Sequence, residues 1–403
     1  MAANLVTIAL KGVASMNLTL KNRYLVGGLF LIVFMIGTDS FIISPLLPAI
    51  ERSFHISVSQ AALAVTSYAV CYAVGAPLIG PLGDQYAKQK LLLLGISIFS
   101  FGSLSCALAP TNGWFEVGRA VAGFGAAMTL PNVWALIGDT FKGPQLNVVM
   151  GMTMAALSLS IAIGVPLGAG LAQLANWRLV FGVSTGLTLV VGGILILVIP
   201  RSAQITVKRH YFASYRQLGR SVKAWRALSV TLTWMFGFYL LYTFLGTFLN
   251  ASFQLNTAQG GIVFTVYGFC NFLASFVSGR VMTHLGQRRT VVINGGLSVL
   301  IILGLTIGQH QLLVVIVGLG ALAIVQGLGV TALNTFIVSL SPQGRTTVMA
   351  CNSALLYLGL TLSSLIGGRI YLVSGFTGIG ISAMIALGLA VAIMGRGKRY
   401  LKD

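Results

Sequence analysis

The residue best placed to do chemistry is Asp39, an acid inside a long apolar run. The chain has only six acidic residues, and placing an ionised Asp at the centre of an apolar helix in a bilayer costs roughly 3 kcal/mol. A buried carboxyl that takes up and releases a proton has this kind of placement. We therefore expect Asp39 to serve proton or substrate coupling. The alternative is a capping or packing role beside Pro45.

Arg119, inside another apolar run, is the natural partner for Asp39. At 1.5 Å of rise per residue, Asp39 lies roughly 14 Å and Arg119 roughly 8 Å below the outer ends of their helices, a gap that helix tilt can close. Glu116 precedes Arg119 by three residues on the same helical face, which favours a local pair instead. The sequence leaves both pairings open.

Other catalytic chemistry has little support in the sequence. The four cysteines lie far apart in apolar runs and form neither a metal pattern nor a disulfide framework. Paired catalytic carboxylates and a nucleophile–base set are also missing. We expect no cofactor, no metal and no enzymatic activity. The four histidines fall near segment ends or in the central loop: His55, His210, His284 and His310.

The elements that must position Asp39 and Arg119 follow from composition. Of 403 residues, 56% are apolar and 8% are charged, with a mean hydropathy of +0.92. Soluble domains carry about 25% charged residues. A bilayer span needs about 20 apolar residues, and the sequence offers a dozen such runs. The composition therefore predicts an all-α polytopic membrane protein with 12 transmembrane helices.

The net charge of +19 is distributed unevenly. Most Lys and Arg residues lie in the termini and in alternate loops, whereas only Arg52, Arg178 and Arg369 lie in the opposite loops. This positive-inside bias predicts that both termini and the central loop are cytoplasmic. We expect a multi-pass protein of the cell membrane, namely a bacterial cytoplasmic membrane. Anionic lipids are sufficient partners for the charge, and no nucleic-acid partner is expected.

Five regions follow from the apolar pattern. Residues 1–23 form a cytoplasmic arm, 24–200 a first group of six segments, 201–226 a basic linker, 227–395 a second group of six and 396–403 a tail. The predicted segments are 24–48, 59–83, 91–108, 114–137, 145–174, one from the turn 176–178 to 200, 227–252, 258–282, 290–308, 311–340, 345–373 and 376–395, numbered 1 to 12.

The two groups resemble each other around one basic turn. The stretch from Gly80 to Lys90 follows segment 2, and a similar stretch from Gly279 to Arg289 follows segment 8, which is 199 residues later. The same offset places Gly367 on Gly168. The simplest interpretation is a chain of two similar halves.

The first of these turns resembles the signature G-x-L-x-D-x-x-G-[RK]-[RK] of the major facilitator superfamily. Gly80, Leu82, Asp84 and Lys88 match, whereas Ala87 and Gln89 replace a glycine and a base. In the second turn, Gly286 keeps the glycine and Thr283 takes the place of the acid. The resemblance implies two six-helix bundles.

Two further motifs resemble a branch of that family. Arg119, Gly123 and Gly125 resemble the family's R-x-x-x-G-x-G motif of helix 4. The helix-5 motif of proton-driven exporters is matched in segment 5, before a Trp-Arg pair, by Gly164, Pro166, Gly168 and Gly170. The branch includes twelve-helix drug:proton antiporters and related sugar and purine-nucleoside effluxers.

The resemblance implies roles for these motifs. Asp84 caps the start of segment 11, and Asp139 holds Lys88 in a charge network, so that the three form a conformational latch between the halves. The glycines of segment 5 let the halves approach at segment 8. The alternatives are solvated turn residues for the latch and glycine packing alone for segment 5.

The substrate cavity is expected between the halves, on segments 1, 4, 7 and 10 with a contribution from segment 8. Aromatic and Met side chains there suit a greasy, variable ligand. The candidates are Met35, Asn132, Trp234, Tyr239, Tyr242, Tyr267, Asn271, Gln326 and Asn334.

These observations predict a secondary active transporter that exports small amphipathic molecules, drugs or metabolites, against proton entry by alternating access. Its partners are the small-molecule substrate, protons and anionic lipids, and it is expected to be a monomer. One alternative is an uncoupled facilitator or importer of a small polar solute such as a sugar or nucleoside. A second is a non-transporting membrane receptor.

Overall fold

The computed structural model describes residues 19–56, 58–199, 213–255, 257–340 and 344–396. The described part of the chain is almost entirely helical and contains no strand. Eleven of its helices are long and apolar enough to cross a membrane. Residues 1–18, 201–212 and 397–403, which hold most of the predicted arm, about half of the linker and most of the tail, lie outside the described residues.

The first half contains eight helices and one π-helical turn, Ser160–Gly164, between α6 and α7. The helices are α1 Leu20–Phe41, α2 Ile43–Phe54, α3 Val58–Gln85, α4 Lys88–Ala107, α5 Asn112–Thr140, α6 Gly143–Leu159, α7 Val165–Leu174 and α8 Trp177–Val198. Segment 1 corresponds to α1 and α2, segment 5 to α6 and α7, and segments 2, 3, 4 and 6 to α3, α4, α5 and α8.

The second half contains a short linker helix and five long helices. They are α9 Ala213–Arg220, α10 Val222–Phe253, α11 Thr257–Leu285, α12 Gln287–Ile307, α13 Leu312–Leu340 and α14 Arg345–Gly395. Segments 7 to 10 correspond to α10 to α13, and α14 contains segments 11 and 12.

Helix α14 is in fact two spans. Its 51 residues would extend about 76 Å if straight, more than twice the roughly 30 Å of a bilayer's apolar layer. Gly375 breaks the helical path, with φ of 58° and ψ of −154°. Because side-chain-bearing residues rarely adopt this conformation, the glycine allows a sharp turn with no loop. The break divides α14 into segments 11 and 12 and brings the number of spans to twelve.

A smaller break occurs between α1 and α2 at Ile42. Pro45 has no N–H to bond the carbonyl of the residue four positions earlier, so the helix is interrupted there. The outer loop predicted after segment 1 is helical as far as Phe54, because α2 continues past Pro48. Helix α1 also begins earlier than segment 1, at Leu20.

The spans form two bundles that meet along two seams. Within the first half, α4 packs on α5 and α8, and α1 packs on α6 and α8; within the second, α10 packs on α14, and α13 packs on α11 and α12. Between the halves, α6 packs on α11 and α3 packs on α14. The halves therefore meet mainly through two pairs of long helices, and one cluster of buried apolar side chains extends across both halves.

The two glycines that the repeat matches lie at equivalent places in these seams. A Cβ on Gly80 would lie 2.8 Å from the Cβ of Ala350, in the seam of α3 and α14. A Cβ on Gly279 would lie 2.8 Å from the carbonyl oxygen of Asn147, in the seam of α11 and α6. Both positions therefore need a residue without a side chain, because the helix backbones approach too closely for one.

The linker helix α9 is bound to one seam, where it contacts both α3 and α14. Pro81 has no N–H, so the carbonyl of Pro77 in α3 lacks its usual helical partner. The hydroxyl of Tyr215 in α9 donates a hydrogen bond to that carbonyl, and Leu218 is buried. The basic linker is thus attached to α3 at the point where Pro81 frees a backbone acceptor.

Replacing Tyr215 with phenylalanine is expected to loosen α9. One net hydrogen bond contributes about 1 kcal/mol, which corresponds to roughly 5-fold more detached helix. Trypsin should then cut at the exposed Arg216 and Arg220 about 5-fold faster, as measured by gel band decay on protein in nanodiscs. Phenylalanine at the exposed Tyr86 is the control. Equal cutting rates in both variants would contradict the attachment.

Candidate functional site

Asp39 and Arg119 form a buried ion pair between α1 and α5. Nη1 of Arg119 lies 2.6 Å from Oδ2 of Asp39, and each residue is only 1% exposed. Ser103 of α4 donates a hydrogen bond of 2.7 Å to Oδ1 of the same carboxylate. The guanidinium carbon of Arg119 lies 4.5 Å from the centre of the Tyr68 ring. Four helices therefore enclose one neutralised pair of charges.

The structure separates the two pairings that the sequence left open. Glu116 accepts a hydrogen bond of 2.6 Å from the side chain of Asn112, four residues earlier on α5. Arg119 points instead to Asp39 across the bundle. The deeper acid is therefore the partner, because helix packing brings α1 against α5 at that level.

One layer of side chains separates this pair from the space between the halves. Ser40, the neighbour of Asp39, lines that space, whereas Asp39 itself does not. The hydroxyls of Ser40 and Tyr68 lie 2.8 Å apart, and Ser40 also donates to the carbonyl of Ile36. Because the Ser40 proton is used in that way, the Tyr68 hydroxyl donates to Ser40. In this conformation the ion pair is closed off behind Ser40 and Tyr68.

A cavity of about 200 Å³ lies between the two halves and is lined by residues from both. Six of the sequence candidates line it: Tyr239, Tyr242, Tyr267, Asn271, Gln326 and Asn334. Aromatic rings cluster on one wall, where Phe238 stacks at 6.0 Å from Tyr267 and Tyr242 lies 5.7 Å from the same ring. This wall combines apolar surface with a few amide groups, as small-molecule sites do.

The remaining three candidates do not line the cavity. Met35 and Trp234 each precede a lining residue, and one step along a helix turns a side chain by about 100°. Asn132 is fully buried and donates 2.7 Å to the main chain one turn earlier. Trp234 is also fully buried, but its Nε1 donates 2.6 Å to Oε1 of Gln326. It therefore orients a residue that does line the cavity.

Sequence reasoning missed one part of the wall. The prediction used segments 1, 4, 7, 8 and 10, but segments 2, 5 and 11 also contribute, through Tyr72, Ser158, Asn352, Ser353 and Tyr357. The rings of Tyr72 and Tyr357 lie 4.5 Å apart across the seam of α3 and α14. The polar pair at 352–353 inside an apolar run was the available signal.

Asp84 caps the start of α14 from the other half. Its Oδ1 accepts the backbone N–H of Thr346 at 3.0 Å, and its Oδ2 accepts the N–H and the hydroxyl of Thr347 at 3.2 and 2.6 Å. The carboxylate is 6% exposed. An anion at a helix N-terminus satisfies unpaired N–H groups and the helix dipole together.

Asp139 joins the halves beside this cap. It forms an ion pair of 2.8 Å with Lys88, at the start of α4, and a second ion pair with Arg345, at the start of α14. The structure thus brings together Asp84, Lys88 and Asp139, and adds Arg345, which sequence reasoning missed. We call this side of the bundles, where α3 passes into α4 and α13 into α14, the basic side. The halves are joined there.

Two glycines of the helix-5 motif face a different neighbour from the one expected. Thr38 of α1 blocks the space beside Gly164, and Ile42 blocks the space beside Gly168. Both neighbours belong to the same half, so these glycines do not bring the halves together at segment 8. Pro166 is exposed, and its missing N–H follows the π-helical turn. Gly170 has open space beside it.

Comparison with known proteins agrees with this architecture. The model of the Major Facilitator Superfamily matches residues 29–321 and 229–400. The uncharacterized MFS-type transporter YwfA of Bacillus subtilis (strain 168) is 30% identical over 382 residues, which cover 92% of this chain and 91% of the relative.

Two further proteins are similar over different extents. The multidrug resistance protein Stp of Mycobacterium tuberculosis (strain CDC 1551 / Oshkosh) is 31% identical over 153 residues, 38% of this chain and 28% of Stp. The crystal structure of the human organic anion transporter MFSD10 superposes with a TM-score of 0.82 over 94% of this chain and 100% of that chain, at 17% identity. The similarity to MFSD10 concerns the fold alone. The chain therefore belongs to the major facilitator superfamily and is a multi-pass membrane transporter.

Proposed function

We propose that the protein exports small amphipathic molecules, such as drugs or metabolites, and drives this export by proton entry. The observation that carries the proposal is the Asp39–Arg119 ion pair, buried beside the central cavity and separated from it by Ser40 and Tyr68. Among the described residues of the membrane interior, Asp39 is the only acid that is paired with a buried cation. Its protonation would change the charge of the site.

Proton uptake by Asp39 acts through Arg119, which then has no counter-charge. Removing one charge of a buried pair leaves the other uncompensated, which costs about 3–5 kcal/mol. Protonation therefore destabilises the closed arrangement around Arg119 and favours a conformation in which the guanidinium reaches water. A shift of this size is enough to change which of two conformations dominates.

The latch residues Asp84, Lys88 and Asp139, with Arg345, would stabilise the same conformation as the closed Asp39–Arg119 pair. They join the halves on the basic side, so the cavity can open only toward the opposite side while they are paired. We propose that the basic side faces the cytoplasm of the cell, with both termini there. The bundles 24–200 and 227–395 would rock about the cavity, with 201–226 as the connection, in a monomer that carries no cofactor and catalyses no reaction.

The class of substrate is supported by the cavity and by one relative. The aromatic wall formed by Tyr239, Tyr242 and Tyr267 suits an amphipathic molecule. Stp, which matches 38% of this chain, is a multidrug resistance protein. The helix-5 glycines Gly164 and Gly168 would contribute by letting segment 5 pack tightly against Thr38 and Ile42 of the same half.

A vesicle assay tests the coupling. Inside-out vesicles that hold the protein, acidified inside and loaded with a pH-sensitive dye, are given chloramphenicol, inosine or ethidium. We expect at least one compound to accumulate and to dissipate the pH gradient, and nigericin to abolish accumulation. Vesicles without the protein are the control. Transport that persists without a gradient would favour a facilitator, and binding without transport would favour a receptor; either would contradict the proposal.

A further inference from the structure

We propose that the central cavity selects uncharged, ring-bearing molecules that carry a hydrogen-bond acceptor. The amide N–H of the Gln326 side chain is the group that donates a hydrogen bond to this acceptor. The inference rests on the proposed function in one respect, namely that this cavity holds the transported molecule. It narrows the substrate class by charge and by hydrogen-bonding chemistry.

The first step concerns charge. The residues that line the cavity are apolar, aromatic, hydroxyl or amide residues, and none of those described is Asp, Glu, Lys, Arg or His. The charge closest in sequence to a lining residue, Asp39, is neutralised by its ion pair with Arg119. A bound ion would lose its water without gaining a counter-charge, which is strongly unfavourable. When Asp39 is protonated, the remaining charge is positive, so a cation is disfavoured in that state as well.

The second step concerns the amide side chains that already form hydrogen bonds within the protein. Asn271 accepts a hydrogen bond from Ser158 and donates 2.9 Å to a carbonyl of α13. Asn334 accepts a hydrogen bond of 2.7 Å from the side-chain amide of Asn352. The side-chain oxygen of Asn352 in turn accepts a hydrogen bond of 2.6 Å from the hydroxyl of Thr231. These side chains are held in place by the protein itself. They shape the cavity wall but offer few free polar atoms to a ligand.

Gln326 differs from these amides. The indole N–H of Trp234 can only donate, so the side-chain oxygen of Gln326 must be the end that faces it, at 2.6 Å. The amide nitrogen is therefore the other end. It is buried, it has no partner, and its residue is 2% exposed on the cavity wall. A buried donor without a partner is a site where a ligand acceptor gains a hydrogen bond at little cost of reorganisation.

Tyr267 supplies a second polar atom on the same wall. Its hydroxyl has no partner of hydrogen-bonding geometry, and the residue is 4% exposed. Around it, the rings of Phe238 and Tyr242 offer flat apolar surface. The volume of about 200 Å³ is small for a ligand site, which favours a compact ring system. The chemistry that fits is a neutral aromatic ketone, amide or alcohol.

Four naphthalenes of similar size test the effects of charge and of a hydrogen-bond acceptor separately. They are 2-acetonaphthone, a neutral acceptor; 2-ethylnaphthalene, neutral without an acceptor; 2-naphthoate, an anion; and 2-naphthylmethylammonium, a cation. Binding to the full chain in nanodiscs is measured by fluorescence, with empty nanodiscs subtracted. We expect 2-acetonaphthone to bind at least about 10-fold more tightly than each of the other three.

Two substitutions assign the effect to Gln326. Gln326→Leu should weaken 2-acetonaphthone by roughly 10-fold and leave 2-ethylnaphthalene within about 2-fold. Gln326→Glu keeps an oxygen for Trp234 but removes the donor and adds a charge, so preference should pass to the cation. Gln311→Leu, at the exposed residue before α13, is the matched control.

The outcomes are distinguishable from failure of the proposed function. The wild-type protein binding the cation or the anion as tightly as the ketone would overturn the inference, and so would an unchanged ligand preference in Gln326→Glu. If the expected binding pattern appears but no compound moves with a pH gradient, the coupled export is wrong while the selectivity stands. If ions are exported against protons, the export stands and the selectivity is wrong.

Discussion

Asparagine at Asp39 is expected to abolish accumulation driven by a pH gradient, lowering it at least about 100-fold, while exchange of substrate across the membrane continues. Asparagine has nearly the same shape and can still accept from Ser103, but it cannot cycle a charge. It also leaves Arg119 without its buried counter-ion, at a cost of about 3–5 kcal/mol. Paired assays of accumulation and of substrate exchange in vesicles would measure the two effects.

The matched controls isolate the charge from the fold. Glu116→Gln makes the same change of acid to amide one turn from Arg119, at a residue that contacts Asn112, and should leave accumulation within about 2-fold. The double variant Asp39→Asn with Arg119→Gln removes both charges, so it should melt at a higher temperature than Asp39→Asn alone but remain uncoupled. Accumulation at the normal level in Asp39→Asn would contradict the proposed coupling.

Asparagine at Asp84 is expected to lower the maximal transport rate about 10-fold or more without changing ligand affinity. The carboxylate accepts three hydrogen bonds from Thr346 and Thr347 at the start of α14, and a hydrogen bond to a charged group contributes about 1.5–3 kcal/mol. The amide loses the charge and at least one acceptor. Because the cap joins the halves and does not line the cavity, the conformation closed on the basic side should become less populated while the ligand contacts stay the same.

A graded control accompanies that variant. Thr347→Val removes only the hydroxyl that bonds to Asp84 and keeps both backbone N–H groups, so its rate should fall less than that of Asp84→Asn. Initial rates over a range of substrate concentrations, together with binding in nanodiscs, would separate rate from affinity. Weaker binding with an unchanged maximal rate would show that Asp84 does not act as part of a conformational latch.

The fold followed from the sequence because bilayer physics leaves few choices. Length and composition required apolar helices, and the repeated turn after segments 2 and 8 indicated two halves. The repeat also marked Gly80 and Gly279, which lie at equivalent points of the two seams. The sequence also placed the division between segments 11 and 12 at residues 374–375, where Gly375 breaks α14. It did not indicate that this one glycine among 49 would replace a loop.

The site was harder to predict from the sequence than the fold, because the side chains that face the cavity depend on the rotation of each helix about its axis. An error of one residue turns a side chain by about 100°, which is why Met35 and Trp234 were assigned to the cavity surface while their neighbours line it. The partner of Arg119 depended on tilt, which no local pattern records. Arg345 was overlooked because a base at a helix start is normally unfavourable, and only Asp139 from the other half explains it.

The turn at Gly375 has a consequence for how the protein is made. Since no connecting loop separates the last two spans, the chain reverses its direction across the bilayer at the glycine itself. We expect the two spans to enter the membrane together as one helical hairpin, with the orientation of segment 12 set by that of segment 11.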